Sequence, residues 1–229
     1  MTCSIKICGI TSVADARMLS DTGIDYLGVL VNVRQSPRSV GVETAAAIVA
    51  AATVPVMALT YDHAIDDVLR MVRAVRPAGV QLAGTEQEHY IAALREKVDI
   101  ALWKTVHLPA SDAGEQIAAE LARLINHLSA IGIDRIILDT AITKGRRVMR
   151  GGTGEHCDWP TAALIKQRVN TFLFLAGGIT PENVRDAVRQ VHPDGIDLSS
   201  GVERARGKKD LILVRRLIEE AAASVMPQS

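Results

Sequence analysis

Two reactive side chains stand where short apolar runs end. Cys8 closes Ile5-Lys-Ile-Cys8, and Asp139 closes Arg135-Ile-Ile-Leu-Asp139. Each run reads as a strand buried on both faces, so its last residue lies at the edge of a sheet. A thiol and a carboxyl facing one cavity could serve as general base and general acid. Taken singly, a lone cysteine is more often a small buried apolar residue, and an aspartate after a strand is more often a helix cap or a partner for a loop amide. A tandem feature near the C-terminus shifts that balance. Phe172-Leu-Phe-Leu-Ala-Gly-Gly-Ile-Thr-Pro-Glu-Asn183 is answered by Gly195-Ile-Asp-Leu-Ser-Ser-Gly201. Both are apolar runs ending in small residues that leave backbone N–H groups uncovered: Gly177 and Gly178 in the first, Ser199, Ser200 and Gly201 in the second. Thr180 is placed to cap a helix that has Pro181 at its first position. One Gly-Gly would mark only a tight turn, but two such strand ends side by side make an anion cradle. The ligand expected there is a phosphorylated small molecule.

Further groups fit the same picture. Arg38, in the polar loop Asn32 to Val40, carries a guanidinium that can clamp a carboxylate through two parallel hydrogen bonds, although a solvated loop arginine is the blander reading. Asp197 lies within the last apolar run, where a charge is costly unless it points into a polar mouth or is paired; it is expected to accept from a substrate hydroxyl or amine. Thr140 to Thr153 is long for a loop, as active-site lids often are, and carries Lys144, Arg146, Arg147 and Arg150, which suit attraction of a phosphate or, more blandly, a solvated loop. His107, His127 and His192 show no ligand-like spacing, so no metal site is expected.

Positioning these groups requires a particular succession of elements. Strand-like runs at Ile5 to Cys8, Tyr26 to Val31, Val54 to Leu59, Gly79 to Leu82, Ile100 to Val106, Arg135 to Asp139 and the two final runs alternate with eight helix-like stretches. The third of these, Ala64 to Val75, carries Ile65, Val68, Leu69 and Val72 at helical spacing. The pattern predicts an α/β fold, a (β/α)8 TIM barrel, in which reactive groups lie at the C-terminal ends of strands and phosphate sits after strands seven and eight. A doubly wound open sheet is the runner-up, weakened by the absence of a Gly-x-Gly-x-x-Gly turn after the first strand. At 229 residues the chain fits one domain over residues 1–223, with a frayed tail at 224–229. Its 26 basic and 26 acidic residues balance, so no overall field draws nucleic acid or a membrane surface. Three irregularly spaced cysteines suit a reduced, cytoplasmic setting, and no apolar run reaches membrane-spanning length.

The chain resembles the phosphoribosylanthranilate isomerases of tryptophan biosynthesis. The resemblance is carried, in order and over nearly the whole chain, by Lys6-Ile-Cys-Gly-Ile-Thr11, Ser36-Pro-Arg38, Leu138-Asp-Thr140, Gly151-Gly-Thr-Gly154 with Asp158-Trp159, Ala176-Gly-Gly-Ile-Thr-Pro-Glu-Asn-Val184, and Gly195-Ile-Asp-Leu-Ser-Ser-Gly-Val-Glu203 with Gly207-Lys-Lys-Asp210. It implies an Amadori rearrangement without metal or organic cofactor, Asp139 as the acid and Cys8 as the base, Arg38 on the anthranilate carboxylate, and Gly152 with the tandem turns on the phosphate. A phosphorylated sugar is the implied partner, and the protein is expected to be a monomer or homodimer. Departures fall around the aglycone: Ala83 stands where the family has histidine, Val29 to Val33 lack its aromatics, and Cys157 replaces a phenylalanine. They leave open a related phosphoribosylamine or phosphosugar as substrate, or a barrel that binds such a metabolite without turning it over.

Overall fold

Eight short strands pair edge to edge until the first meets the last. In chain order they are β1 (Ser4–Ile7), β2 (Tyr26–Val31), β3 (Val56–Thr60), β4 (Gly79–Leu82), β5 (Ala101–Pro109), β6 (Arg135–Lys144), β7 (Phe172–Leu175) and β8 (Gly195–Leu198). Each is parallel to the next, and β8 closes the ring on β1. The helices α1 (Val13–Ser20), α2 (Val42–Ala51), α3 (Ile65–Val75), α4 (Glu88–Arg95), α5 (Gly114–Ala130), α6 (Trp159–Lys166), α7 (Val184–Val191) and α8 (Leu211–Ala223) follow the strands in turn. The computed structural model describes residues 3–109, 113–144, 147–150 and 158–224, so Gly152 and positions 225–229 of the expected tail lie outside the described residues. No described helix is long and apolar enough to cross a membrane.

Local chemistry explains most boundaries. Ser12 caps α1 by accepting from Asp15 N, Asp158 caps α6 by accepting from Thr161 N, and Asp210 caps α8 through Ile212 N and Leu213 N. In α3 the fully buried stripe is Val68, Met71 and Val75, with Ile65, Leu69 and Val72 only partly covered. The helix is therefore rotated slightly from the face that its apolar spacing suggested.

Three expectations are corrected. Thr180 does not cap a helix: α7 begins at Val184, and Asn183 folds back instead, accepting from Thr180 N and donating to Gly178 O, both at 2.9 Å. The stretch expected to be a loop after Asp139 continues as β6 to Lys144 and pairs antiparallel with Arg147–Arg150. The β-branched residues Ile142, Thr143 and Val148 favour extended backbone, a preference that the basic residues disguised. Residues 145–146 and 151–153 of that stretch, and 154–157 after it with Cys157, lie outside the described residues. Finally, Ser39–Val40 is a short strand on the edge of β2, so the polar segment that carries Arg38 is tied back to the barrel.

The inside of the barrel is closed at one end. Tyr26, Trp103, Phe172 and Phe174 gather around the beginnings of β2, β5 and β7, with the Trp103 and Phe174 rings stacked at 5.1 Å. The Arg135 guanidinium lies over the Tyr26, Trp103 and Phe172 rings and donates to the Tyr26 hydroxyl at 2.8 Å. Four of the chain's few aromatic residues are thus spent on a floor at the N-terminal end. The ligand-accessible end is the one where the strands finish.

Candidate active site

A cavity of about 410 Å³ opens at that end, within the size range of small-molecule sites. Cys8, Arg38, Asp139, Gly177, Gly178, Asp197, Ser199, Ser200 and Gly201 all line it, so these candidate catalytic and binding residues are brought to one place. Leu30, Val33, Pro37, Leu59, Tyr61 and Ala83 supply its apolar side.

Cys8 continues the β1 ladder by one residue, its N–H donating to Leu198 O at 2.8 Å. Two positions earlier, and therefore on the same face of the strand, Lys6 points inward with no exposed surface. Its ammonium pairs with Asp197 Oδ1 at 2.9 Å, directly across the β1–β8 register. The thiol and the ammonium crowd Gly28 on β2: a Cβ there would stand 2.9 Å from Cys8 Sγ and 3.1 Å from Lys6 Nζ. Glycine at that point leaves room for the pair. Burial pushes the Cys8 thiol up, while the Lys6 and Lys209 ammoniums pull it the other way without cancelling the shift. Burial alone would lower Lys6, but Asp197 and Cys8 hold it above its ordinary value. Asp197 was expected to face the ligand as an acceptor; it does line the cavity, yet one of its oxygens is committed to Lys6.

Asp139 stands on β6, opposite His107 in the register with β5. Its Oδ1 accepts from Thr140 N at 2.8 Å. Burial raises its carboxyl to about 7, against the opposing Thr140 N–H, with the nearby Asp197 charge adding to the rise. Such a group carries its proton over much of the neutral range and can deliver it.

The turns after β7 and β8 lean on one another. Gly177 and Gly178 take φ of +88° and +64°, and a side chain at Gly177 would collide with Thr140 Oγ1. A Cβ at Gly201 would run into the Ile179 carbonyl, so the β8 turn reaches its place only because that atom is missing. Gly201→Ala should therefore push the turns apart and raise KM for a phosphorylated substrate by about tenfold or more, with weaker competition by inorganic phosphate. Unchanged phosphate inhibition in that variant would remove the anion site from these turns.

Arg38 is not a free loop side chain. Its Nε and Nη2 donate to the two Glu203 oxygens, each at 2.7 Å, and this raises the guanidinium further and holds the Glu203 carboxyl below its usual range despite burial. Sequence reasoning missed Lys6, Glu203 and Lys209. Lys6 was detectable by the argument applied to Asp197, as a charge inside a wholly apolar run. Glu203 and Lys209 carried no such signal.

Fold and mouth together define a (β/α)8 barrel with small-residue turns after its last two strands, a thiol just past the end of β1 and a carboxyl midway along β6. Residues 5–220 match the family model described as N-(5'phosphoribosyl)anthranilate (PRA) isomerase. The chain belongs to that family. It is 36% identical over 222 residues to the N-(5'-phosphoribosyl)anthranilate isomerase of Methanocella arvoryzae, covering 94% of this chain and 96% of that one. Among solved structures, the phosphoribosyl anthranilate isomerase of Thermotoga maritima is 28% identical and superposes with a TM-score of 0.80 over 97% of this chain and all of that one. A further isomerase, solved with reduced 1-(o-carboxyphenylamino)-1-deoxyribulose 5-phosphate, is 27% identical with a TM-score of 0.78, over 97% of this chain and 100% of its own.

Proposed function

We propose that this chain converts N-(5-phosphoribosyl)anthranilate into 1-(2-carboxyphenylamino)-1-deoxyribulose 5-phosphate, with Asp139 as general acid and Cys8 as general base. The carrying observation is that both groups line one cavity whose far wall is the tandem amide turn. The phosphate would rest on the N–H groups of Gly177, Gly178, Ser199, Ser200 and Gly201, which anchors the sugar by its unreactive end. Asp139 then gives its proton to the furanose ring oxygen as the C1'–O bond breaks, and the lone pair of the anthranilate amino nitrogen on C1' completes a Schiff base. The Cys8 thiolate takes the proton from C2', and the resulting enolamine gains a proton at C1' while its C2' hydroxyl gives one up, becoming the aminoketose. The proton count balances, so the reaction calls on no oxidant or reductant. Lys6 is suited to stabilise the thiolate that this sequence requires, and Arg38 to hold the anthranilate carboxylate.

Rescue of a tryptophan auxotroph that lacks this isomerase, together with an assay on freshly generated phosphoribosylanthranilate, tests the reading. Growth and turnover support it; phosphate-ligand binding with neither would leave a metabolite-binding barrel in its place. Ala83 favours a second reading, a different phosphoribosylamine, because its methyl group lines the wall where the family presents an imidazole. On the first reading Ala83→His should lower KM for phosphoribosylanthranilate by about tenfold with kcat little changed, as expected for one added hydrogen bond. A KM that rises instead would favour the second.

A further inference from the structure

Residues after β8 form a feature that the barrel itself does not need. Glu203–Ala205 and Lys208–Lys209 make a two-stranded antiparallel hairpin with Glu203 opposite Lys209. Thr11 Oγ1 donates to Gly207 O at 2.6 Å, and Lys209 N donates to Asp15 Oδ2 at 3.4 Å, so the hairpin is fastened to the segment just beyond Cys8. Within this frame runs a continuous chain of bonds. Lys209 Nζ donates to Ser199 O at 2.9 Å, to Ser199 Oγ at 3.2 Å and to Glu203 Oε1 at 3.0 Å; Glu203 in turn receives Nε and Nη2 of Arg38. Side-chain exposure is 14% for Arg38, 5% for Glu203 and 0% for Lys209, so these charges act on one another with little screening by water.

A guanidinium has more than one edge that can grip a carboxylate. Glu203 occupies the side edge, Nε with Nη2. The end edge, formed by Nη1 and the second hydrogen of Nη2, is engaged by no other carboxylate among the described residues, and Arg38 lines the cavity. Two cations facing one carboxylate also leave a net positive charge beside the mouth. A loop arginine fixed from behind loses little further rotamer freedom when an anion arrives.

We propose that Glu203 is the positioning residue of the carboxylate grip: it holds the side edge of Arg38 so that the end edge meets the carboxylate of the substrate, while Lys209 anchors Glu203 to Ser199 at the phosphate end of the cavity. The inference rests on the reading of Arg38 given above. It treats Glu203 as a support for the substrate anion, where a competing internal carboxylate would do the opposite.

Steady-state kinetics of Glu203→Gln, Arg38→Ala and the double variant separate these roles, measured on phosphoribosylanthranilate and on its aniline analogue, which lacks the carboxylate. Glu203→Gln should raise KM for phosphoribosylanthranilate by about tenfold, the scale of one misplaced charge-assisted pair, with kcat altered by less than about threefold. The aniline analogue should show no such rise, and the double variant should be no worse than Arg38→Ala alone. A general loss of structure would affect both substrates alike. If Glu203→Gln fails to fold by circular dichroism, Glu203→Asp decides, since it keeps the charge but withdraws it by one methylene: a selective KM rise supports the inference and a wild-type KM overturns it. A lowered KM in Glu203→Gln, or an equal rise on both substrates, also overturns it. Unchanged KM in Arg38→Ala would instead strike down the carboxylate reading of Arg38 itself.

Discussion

Asp139→Asn is expected to lose turnover by about three orders of magnitude while making the protein more stable above neutral pH. The amide is isosteric and its oxygen can still accept from Thr140 N, but it has no acidic proton for the ring oxygen; losing a general acid typically costs 10²–10⁴ in rate. The stability gain follows from the same burial that makes the aspartate useful. Its carboxyl rises from 3.8 to about 7 on folding, so the folded protein holds this proton more tightly than the unfolded chain. That contribution is fully present below the unfolded value and is lost as pH rises through 7. Asparagine removes the dependence. The two proteins should melt alike near pH 4, and a gap of about 2–4 kcal/mol, or roughly 5–10 °C in Tm, should open by pH 8. Thermal melts across that range check it, and a variant no more stable at pH 8 than wild type would show that Asp139 is not an unwillingly buried charge. An unaltered kcat would end its role as the acid.

Cys8→Ser should abolish measurable turnover, a fall of about a thousandfold or more, and leave inhibition by inorganic phosphate unchanged. Serine fills nearly the same volume, but its hydroxyl is far too weak an acid to furnish the base that removes the C2' proton. The thiol is itself held above its ordinary value by burial, against the pull of Lys6, Lys209 and the Gly9 backbone N–H. The pH profile carries the signature. With the acid near 7 and the base held above its ordinary value, the form bearing protonated Asp139 and ionised Cys8 increases with pH up to about 7, stays level, and declines once the thiol has titrated. Wild-type kcat/KM should trace that plateau. Residual activity in Asp139→Asn should keep climbing beyond pH 7, because the break there belongs to the aspartate. A Cys8→Ser protein retaining most of its kcat would make Cys8 a packing residue.

The sequence by itself determined the alternation of apolar runs with helical stretches, and with it the barrel. It also determined which groups reach the mouth. Cys8, Asp139 and the tandem turns were legible because each follows a short apolar run in its own strand and its placement at the mouth comes from chain direction alone, although the strand carrying Asp139 runs on to Lys144 where the sequence suggested an end. The hairpin beyond Asp139 and the late start of α7 were not legible, since basic residues on a strand look like a loop and Thr180-Pro181 looks like a cap. What only the tertiary structure decided is how the charges are partnered. Lys6 and Asp197 lie 191 positions apart and meet only because β8 closes on β1, while Arg38 and Glu203, 165 apart, meet where the β2 loop faces the last hairpin. Burial makes each of these charges dependent on its partner, and nothing in the local sequence of either partner names the other.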